Sequence, residues 1–363
     1  MLKSFAFCRK DWSLYQSFLS NLTLEKKYFM YFPRLIFISA LTFTIGFSSA
    51  IASEERIIED DKGIFNIVLE NDVFAGADRD YTNGVRFSWL SSEENMPLWS
   101  QRIANFLPVA NDGNKRISVA AGQSMFSPEN ISNSNLIDGD HPYAGWLYGS
   151  VGMVSDTGAT LDNVMLTLGV VGPLAFAKNT QKFVHKVIGS PDPKGWDNQL
   201  KNEPGVILTY ERKWRAIAEA SPFGIGVDIT PHVGLNLGNV NTDASMGATF
   251  RLGYDLPADY GPPRIRPSLP GSDFFIPTQE LGGYLFTTID ERAVARNIFL
   301  DGNTFAESPS NVDKKYLVGS LQVGAALTYG QTRLSYTHVF MSKEYDTQQH
   351  SAVFGVVTLS SRF

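Results

Sequence analysis

From Ile64 to the end of the chain, apolar and polar residues alternate in segments of roughly ten positions, separated by clusters of Gly, Asn, Asp and Pro. A period of two places successive side chains on opposite faces of an extended strand, so such segments read as strands with one apolar and one polar face. The final segment is the clearest. Val353, Gly355, Val357, Leu359, Ser361 and Phe363 fall on one face, while Thr358, Ser360 and Arg362 fall on the other. One face suits lipid and the other a polar lumen. The pattern predicts strands over 64–72, 81–91, 116–125, 143–154, 161–171, 204–214, 223–237, 244–254, 281–289, 316–329, 332–341 and 351–363. About twelve strands, an even number, suit an all-β, transmembrane antiparallel β-barrel. Trp89, Trp146, Tyr148, Tyr210, Trp214 and Tyr254 recur near strand ends, as interfacial girdles require.

Two stretches break the alternation. Between Gly172 and Gly189, Leu174, Phe176, Phe183, Val184, Val187 and Ile188 follow helical spacing, with Lys178, Lys182 and Lys186 on another face. The reading is a short helix in a loop near the lumen rim, or one that plugs the lumen. The Pro- and Gly-rich connection from Pro257 to Pro277 reads as an irregular loop on the side opposite the short turns.

The first fifty residues set the compartment. An apolar run from Leu35 to Phe47 follows Lys26, Lys27 and Arg34 and ends in Ala50-Ile51-Ala52. That is the form of a signal peptide, and the run is shorter than the roughly 20 residues a spanning helix needs. Residues 1–52 are therefore expected to be a leader, for which Met30 is a more ordinary start than Met1, and residues 53–363 the barrel domain. Cys8 is the single cysteine and falls in the leader, so the exported part offers neither a disulfide nor a thiol. A net charge of −6 supplies no basic excess for nucleic acid.

Candidate chemistry gathers at the strand ends. Glu70-Asn71-Asp72 closes the first predicted strand and Asp80-Tyr81-Thr82-Asn83-Gly84 opens the second, concentrating the oxygen donors a hard cation prefers at one rim. In a regular strand Asn71 and Asp72 face opposite ways, so both serve one site only if the strand ends or bulges there. Gln181 and His185, four residues apart, share one face of the predicted helix. His232, His338 and His350 read as structural.

In order along the chain come Glu70 to Phe74, Asp80 to Gly84, Asp140 to Trp146, Gly169 to Pro173, Gln181-x-x-x-His185, Gly195 to Glu203 and Tyr210-Glu211-Arg212. At these residues the chain resembles the lipid A 3'-O-deacylase family of outer-membrane barrels. The resemblance implies a twelve-stranded barrel in the bacterial outer membrane, acting on lipid A of lipopolysaccharide in the outer leaflet. Its members are calcium-dependent and hydrolyse the ester that attaches the 3'-linked acyloxyacyl group. On that resemblance His185 matches the catalytic base, Gln181 its helix neighbour, and Asn71 and Thr82 polar residues of the site; Asp72, Asn71 and Glu203 are the expected Ca2+ ligands. Outer-membrane lipids and the barrel assembly machinery are the expected partners of a monomer. The chain also departs from the family. Ser127 to Asp140 contains no Lys or Arg where the family has an adjacent Lys-Arg pair, leaving phosphate contacts to Lys182, Lys186 or Arg79. The acidic residue expected shortly after the histidine is replaced near Pro191, with Asp192 or Glu203 as substitutes. The competing readings are a passive outer-membrane channel and an outer-membrane phospholipase.

Overall fold

Alternation becomes a two-faced wall. In β1 (Ile64–Asn71) Ile64, Asn66, Val68 and Glu70 are buried while Phe65 and Leu69 are exposed. Besides three short strands at Ala218–Ala220, Ala258–Asp259 and Phe275–Ile276, eleven more long strands complete the wall. They are β2 (Asp80–Leu90), β3 (Asn114–Ser127), β4 (Ala144–Asp156), β5 (Thr160–Val171), β6 (Glu203–Trp214) and β7 (Gly226–Gly238), then β8 (Asn241–Tyr254), β9 (Leu281–Asn297), β10 (Leu317–Tyr329), β11 (Thr332–Met341) and β12 (Ala352–Arg362). Each pairs antiparallel with its neighbour in sequence, and β1 pairs with β12 from Ile64 opposite Arg362 to Asn71 opposite Gly355. The result is a closed barrel, which leaves no unpaired edge and is therefore compatible with lipid. This computed structural model describes residues 61–75, 80–93, 113–261, 273–309 and 312–363, and only the backbone of 75 and 80–82. The expected leader lies outside the described residues. Among them, no helix is long and apolar enough to cross a membrane.

Bulky apolar side chains such as Val119, Val151, Leu166 and Leu208 point outward. The inward positions carry charge, and each unpaired charge there would cost several kcal/mol. Arg86 makes two bonds to Asp273, at 2.7 and 2.6 Å, and Arg251 two to Asp228, at 2.8 and 2.5 Å. Arg251 and Arg333 both donate to Asp259, and His232 lies 2.8 Å from Asp290.

Asp259 and Asp273 belong to the connection between β8 and β9. That loop was expected on the side opposite the short turns; instead it emerges at the same end as the turns at 157–159 and 330–331 and folds into the lumen, because its carboxylates answer the inward arginines of the wall. There Tyr260, Phe274 and Phe275 pack with Ile64, Leu90, Val154 and Leu161 as an apolar stopper. At the other end Phe126, Trp146, Leu200, Val240, Ile298 and Phe299 form a second, with the Phe126 and Phe299 rings 4.1 Å apart. The long loops 128–143, 172–202, 298–316 and 342–351 share that second end, which is thus the outer rim, since barrels of this kind carry short turns on the periplasmic side.

A lumen stoppered twice is unsuited to conduction. Planar bilayers carrying the purified protein are expected to show no steady conductance, and stable open-channel steps would contradict the two stoppers. Arg86→Ala strands Asp273 in the interior, a change of about 3–5 kcal/mol for a broken buried pair. Its expected signature is a lower temperature at which the folded, fast-migrating form unfolds in detergent, against an unchanged value if the pair is dispensable.

Candidate active site

The chain leaves β5 at Gly172, makes a short 3-10 turn at Pro173–Ala175 and enters α1 (Ala177–Ile188), which stops at Gly189 in the left-handed region with its N–H donated to the His185 carbonyl. Residues four apart share a helix face. Here the buried face is Ala177, Gln181 and His185. The opposite face is apolar and exposed, with Phe183 and Val187 each 68 % accessible. A helix in water buries its apolar stripe; α1 does the reverse, the arrangement expected where the surroundings are hydrocarbon.

The helix stands on the outer face of the wall, so the expectation that it might plug the lumen is corrected. Gly145 occupies an outward position of β4, and a Cβ there would lie 2.5 Å from that of Ala177. Only glycine admits this approach. Beside it, Gln123 of β3 donates through Nε2 to the Ala175 carbonyl at 2.6 Å, and Met125, Ile131, Tyr143, Ala177 and Trp196 close into a buried cluster. The lumen fills instead with the β8–β9 loop, whose charges fit a charged interior as the apolar flank of α1 would not.

Register carries this seat across the wall. Gly145 is opposite Met125, Met125 opposite Asn83, Asn83 opposite Asn71, and Asn71 opposite Gly355. Four inter-strand steps make a row about 19 Å long on the outer face. At its far end Phe74 rests on Gly355, where a Cβ would come within 2.6 Å of the Phe74 Cβ. The row is thus bounded by α1 on one side and by the 3-10 turn Val73–Ala75 on the other.

Asn71 closes β1 by accepting the Val73 N–H on Oδ1 at 2.7 Å, which turns the chain directly after Asp72. Asp72 is buried at that turn. The early strand end that a shared site requires is therefore present. In β2 the pairing with β3 skips Thr82, since Tyr81 faces Phe126 and Asn83 faces Met125. Thr82 is the extra residue of a bulge. Its side chain lies outside the described residues, as does Arg79.

His185 Nδ1 is 2.6 Å from the Pro191 carbonyl oxygen. A carbonyl only accepts, so Nδ1 carries the hydrogen and Nε2 of the neutral ring keeps its lone pair. The place of the expected acidic partner is filled by a main-chain oxygen. Asp192 pairs at 3.7 Å with Lys182 instead, and Asp197 at 2.7 Å with Lys178, whose hydrogen bond holds the Asp197 carboxyl below the usual carboxylate range. Gln181 Oε1 accepts the Trp196 indole N–H at 2.6 Å. That bond fixes the amide, and Gln181 Nε2 is left buried with no partner among the described residues.

Glu203 stands apart. It alternates with the inward Thr209, Glu211 and Lys213 of β6, on the face of the wall opposite Asn71. Its carboxylate accepts from Asn239 and Asn303 side chains, each at 3.1 Å, and from the Thr304 and Phe305 N–H groups at 2.8 and 3.2 Å. With both oxygens so engaged, Glu203 clamps loops at the outer rim, and its expected place among metal ligands is withdrawn. No group of three or more His, Cys, Asp or Glu able to hold a metal occurs among the described residues.

A family model described as outer membrane protein LpxR matches residues 35–363. The chain belongs to the LpxR family. This is the lipid A 3'-O-deacylase family that the motif order resembles, and it places the barrel in the bacterial outer membrane. LpxR from Salmonella typhimurium has the same fold, with a TM-score of 0.68 at 21 % identity, covering 83 % of this chain and 100 % of that one. The β domain of the Bordetella autotransporter BrkA aligns over 84 % of this chain and 99 % of that one at 10 % identity and a TM-score of 0.40, a likeness no closer than barrels share generally. Among curated proteins none matches.

Proposed function

We propose that this LpxR-family barrel is a calcium-dependent esterase that removes the 3'-linked acyloxyacyl group of lipid A, using a water activated by His185. The observation that carries the reading is the bond from His185 Nδ1 to the Pro191 carbonyl, which in the neutral ring places the lone pair on Nε2, on the face of α1 that is buried against the wall. A neutral imidazole in that state takes a proton from water as the water attacks the ester carbonyl. On collapse of the tetrahedral intermediate the imidazolium returns the proton to the departing sugar oxygen, giving a free sugar hydroxyl and the acyloxyacyl carboxylic acid.

Gln181 supplies the polar complement. Its Nε2–H groups, without a partner among the described residues, are donors for the oxyanion, held in advance of the reaction because Trp196 occupies the other end of the amide. The Asp72 carboxylate and the Asn71 amide oxygen, which also accepts the Val73 N–H, are oxygen ligands of the kind a calcium ion takes. When bound, the cation supplies positive charge beside the developing oxyanion. The exposed Phe183, Val187 and Ile188 continue the lipid-facing band, so the acyl chains of a leaflet substrate reach the site without entering water. Lys182 and Lys186, both exposed on α1, are the described candidates for a phosphate contact, and Lys182 already lies 3.7 Å from Asp192.

The test is mass spectrometry of lipid A from cells expressing the protein, with purified lipid A and phospholipid assayed side by side. Loss of one acyloxyacyl mass, abolished by EDTA and restored by calcium, is the expected result. Release of fatty acid from phospholipid with lipid A untouched would replace this reading by a phospholipase. Trp196→Phe keeps an aromatic ring in the Met125–Tyr143 cluster and removes the bond to Gln181, with the smaller ring leaving part of the pocket unfilled. It is expected to lower kcat about tenfold, as for one donor left unfixed, while KM stays near the parent value.

A further inference from the structure

We propose that Tyr336 and His338 of β11 are positioning residues of the candidate site, pinning the turn that follows Asn71 and Asp72 to the outer face of the wall. For its activity readouts this rests on the deacylase reading; for its structural readout it does not.

His338 is opposite Gly355, which is opposite Asn71, so His338 lies two strands from Asn71 in the same outward row, about 10 Å away. Between them Phe74 sits on the bare Gly355 backbone. The Tyr336 hydroxyl is 3.2 Å from the Phe74 carbonyl oxygen and 3.2 Å from His338 Nδ1. Because the carbonyl only accepts, the phenolic hydrogen goes to Phe74, and the phenol oxygen accepts from His338 Nδ1–H. Imidazole, phenol and main chain thus form one directed series of hydrogen bonds. The His338 ring is itself steadied by Phe340, with centroids 4.6 Å apart.

The phenol and the imidazole lie on the outer face of the wall, where polar groups are disfavoured beside hydrocarbon unless they find partners. Here both spend their polarity on the turn. Val73 and Phe74 are partly exposed, so surface burial alone holds the turn less firmly than a core position would be held. Among the described residues, the Asn71 side chain holds the Val73 N–H and the Tyr336 hydroxyl holds the Phe74 carbonyl, with Phe74 seated on Gly355. Loss of the Tyr336 bond loosens the turn that directly follows Asp72. Displacement of a reacting group by about 1 Å is enough to cost as much as 10²-fold in rate.

The experiment is Tyr336→Phe in detergent-solubilised or nanodisc-reconstituted protein, with amide hydrogen exchange over residues 71–75 and deacylation kinetics read together. Expected are faster exchange at 73–75, a kcat about tenfold lower, as for loss of one aligning bond, a KM within about twofold, and a higher calcium concentration at half-maximal activity. His338→Asn, which retains a donor toward the phenol, is expected to stay near parent, whereas His338→Leu should reproduce Tyr336→Phe. Gly355→Ala, which lifts Phe74 from its seat, should do the same from the other side. Unchanged exchange at 73–75 in Tyr336→Phe overturns the pinning, and faster exchange with kcat unchanged overturns the positioning role. A wild-type protein inactive on lipid A, with exchange still faster in the variant, would overturn the deacylase reading and leave the pinned turn standing.

Discussion

Substituting His185 by alanine is expected to reduce lipid A deacylation by about 10³-fold or more, the range over which a positioned general base acts, while the barrel still assembles. The two halves of that outcome have separate causes. His185 projects from α1 onto the outside of the wall and takes no part in the strand ladder or the lumen network, so the shift in gel mobility between folded and heated protein should equal that of the parent. Activity depends on Nε2, whose lone pair exists because Nδ1 is committed to the Pro191 carbonyl. Since that acceptor is main chain, Pro191→Ala should retain most of the activity. A His185→Ala protein that still strips the acyloxyacyl mass would remove histidine from the mechanism; a Pro191→Ala protein as dead as His185→Ala would show that ring rigidity around the turn, rather than the carbonyl, sets the base.

Gly145→Val should be nearly as damaging without touching any polar group. The added Cβ would stand 2.5 Å from the Ala177 Cβ, where van der Waals contact needs about 1 Å more or beyond. Either α1 lifts from β4 or the strand backs inward against a packed lumen, and the loosely anchored helix gives first. Gln181 and His185 travel with it. A shift of that size is expected to lower activity about 10²-fold. The control lies four residues along the same outward face: a Cβ at Gly149 meets only the Ala120 carbonyl at 3.9 Å, so Gly149→Ala should be silent. Equal activity of the two variants, measured on purified lipid A, would mean that the seat of α1 does not govern the site.

Most of the wall was readable as period-two alternation, and all twelve predicted strands occur. The main shortfall is β9, predicted to stop at Ile289 but running to Asn297. Its missed half, Asp290 to Asn297, places Asp290 and Arg292 inward, and charged residues at buried positions look like a loop until their partners are seen. Asp290 meets His232 and Arg292 meets Glu344, both from remote stretches of chain. The β8–β9 loop was misplaced for the same reason. In the site, Asn71, Asp72, Gln181 and His185 stood out as polar residues at strand ends or helical spacing, whereas the order of residues gave Trp196 only as part of a motif and no contact for Gln123 or Tyr336. Glu203 misled because a rim carboxylate that clamps loops carries the same letter as one that binds a metal.

By itself, then, the amino-acid order determined the barrel, its approximate strand number, the presence of α1 and the pairing of Gln181 with His185, since all of these follow from local periodicity. Only the folded chain decided which side of the wall α1 occupies, what fills the lumen and what orients His185. Those depend on contacts between residues distant in sequence, on a glycine whose bareness matters only where another backbone approaches it, and on a carbonyl oxygen that every residue possesses.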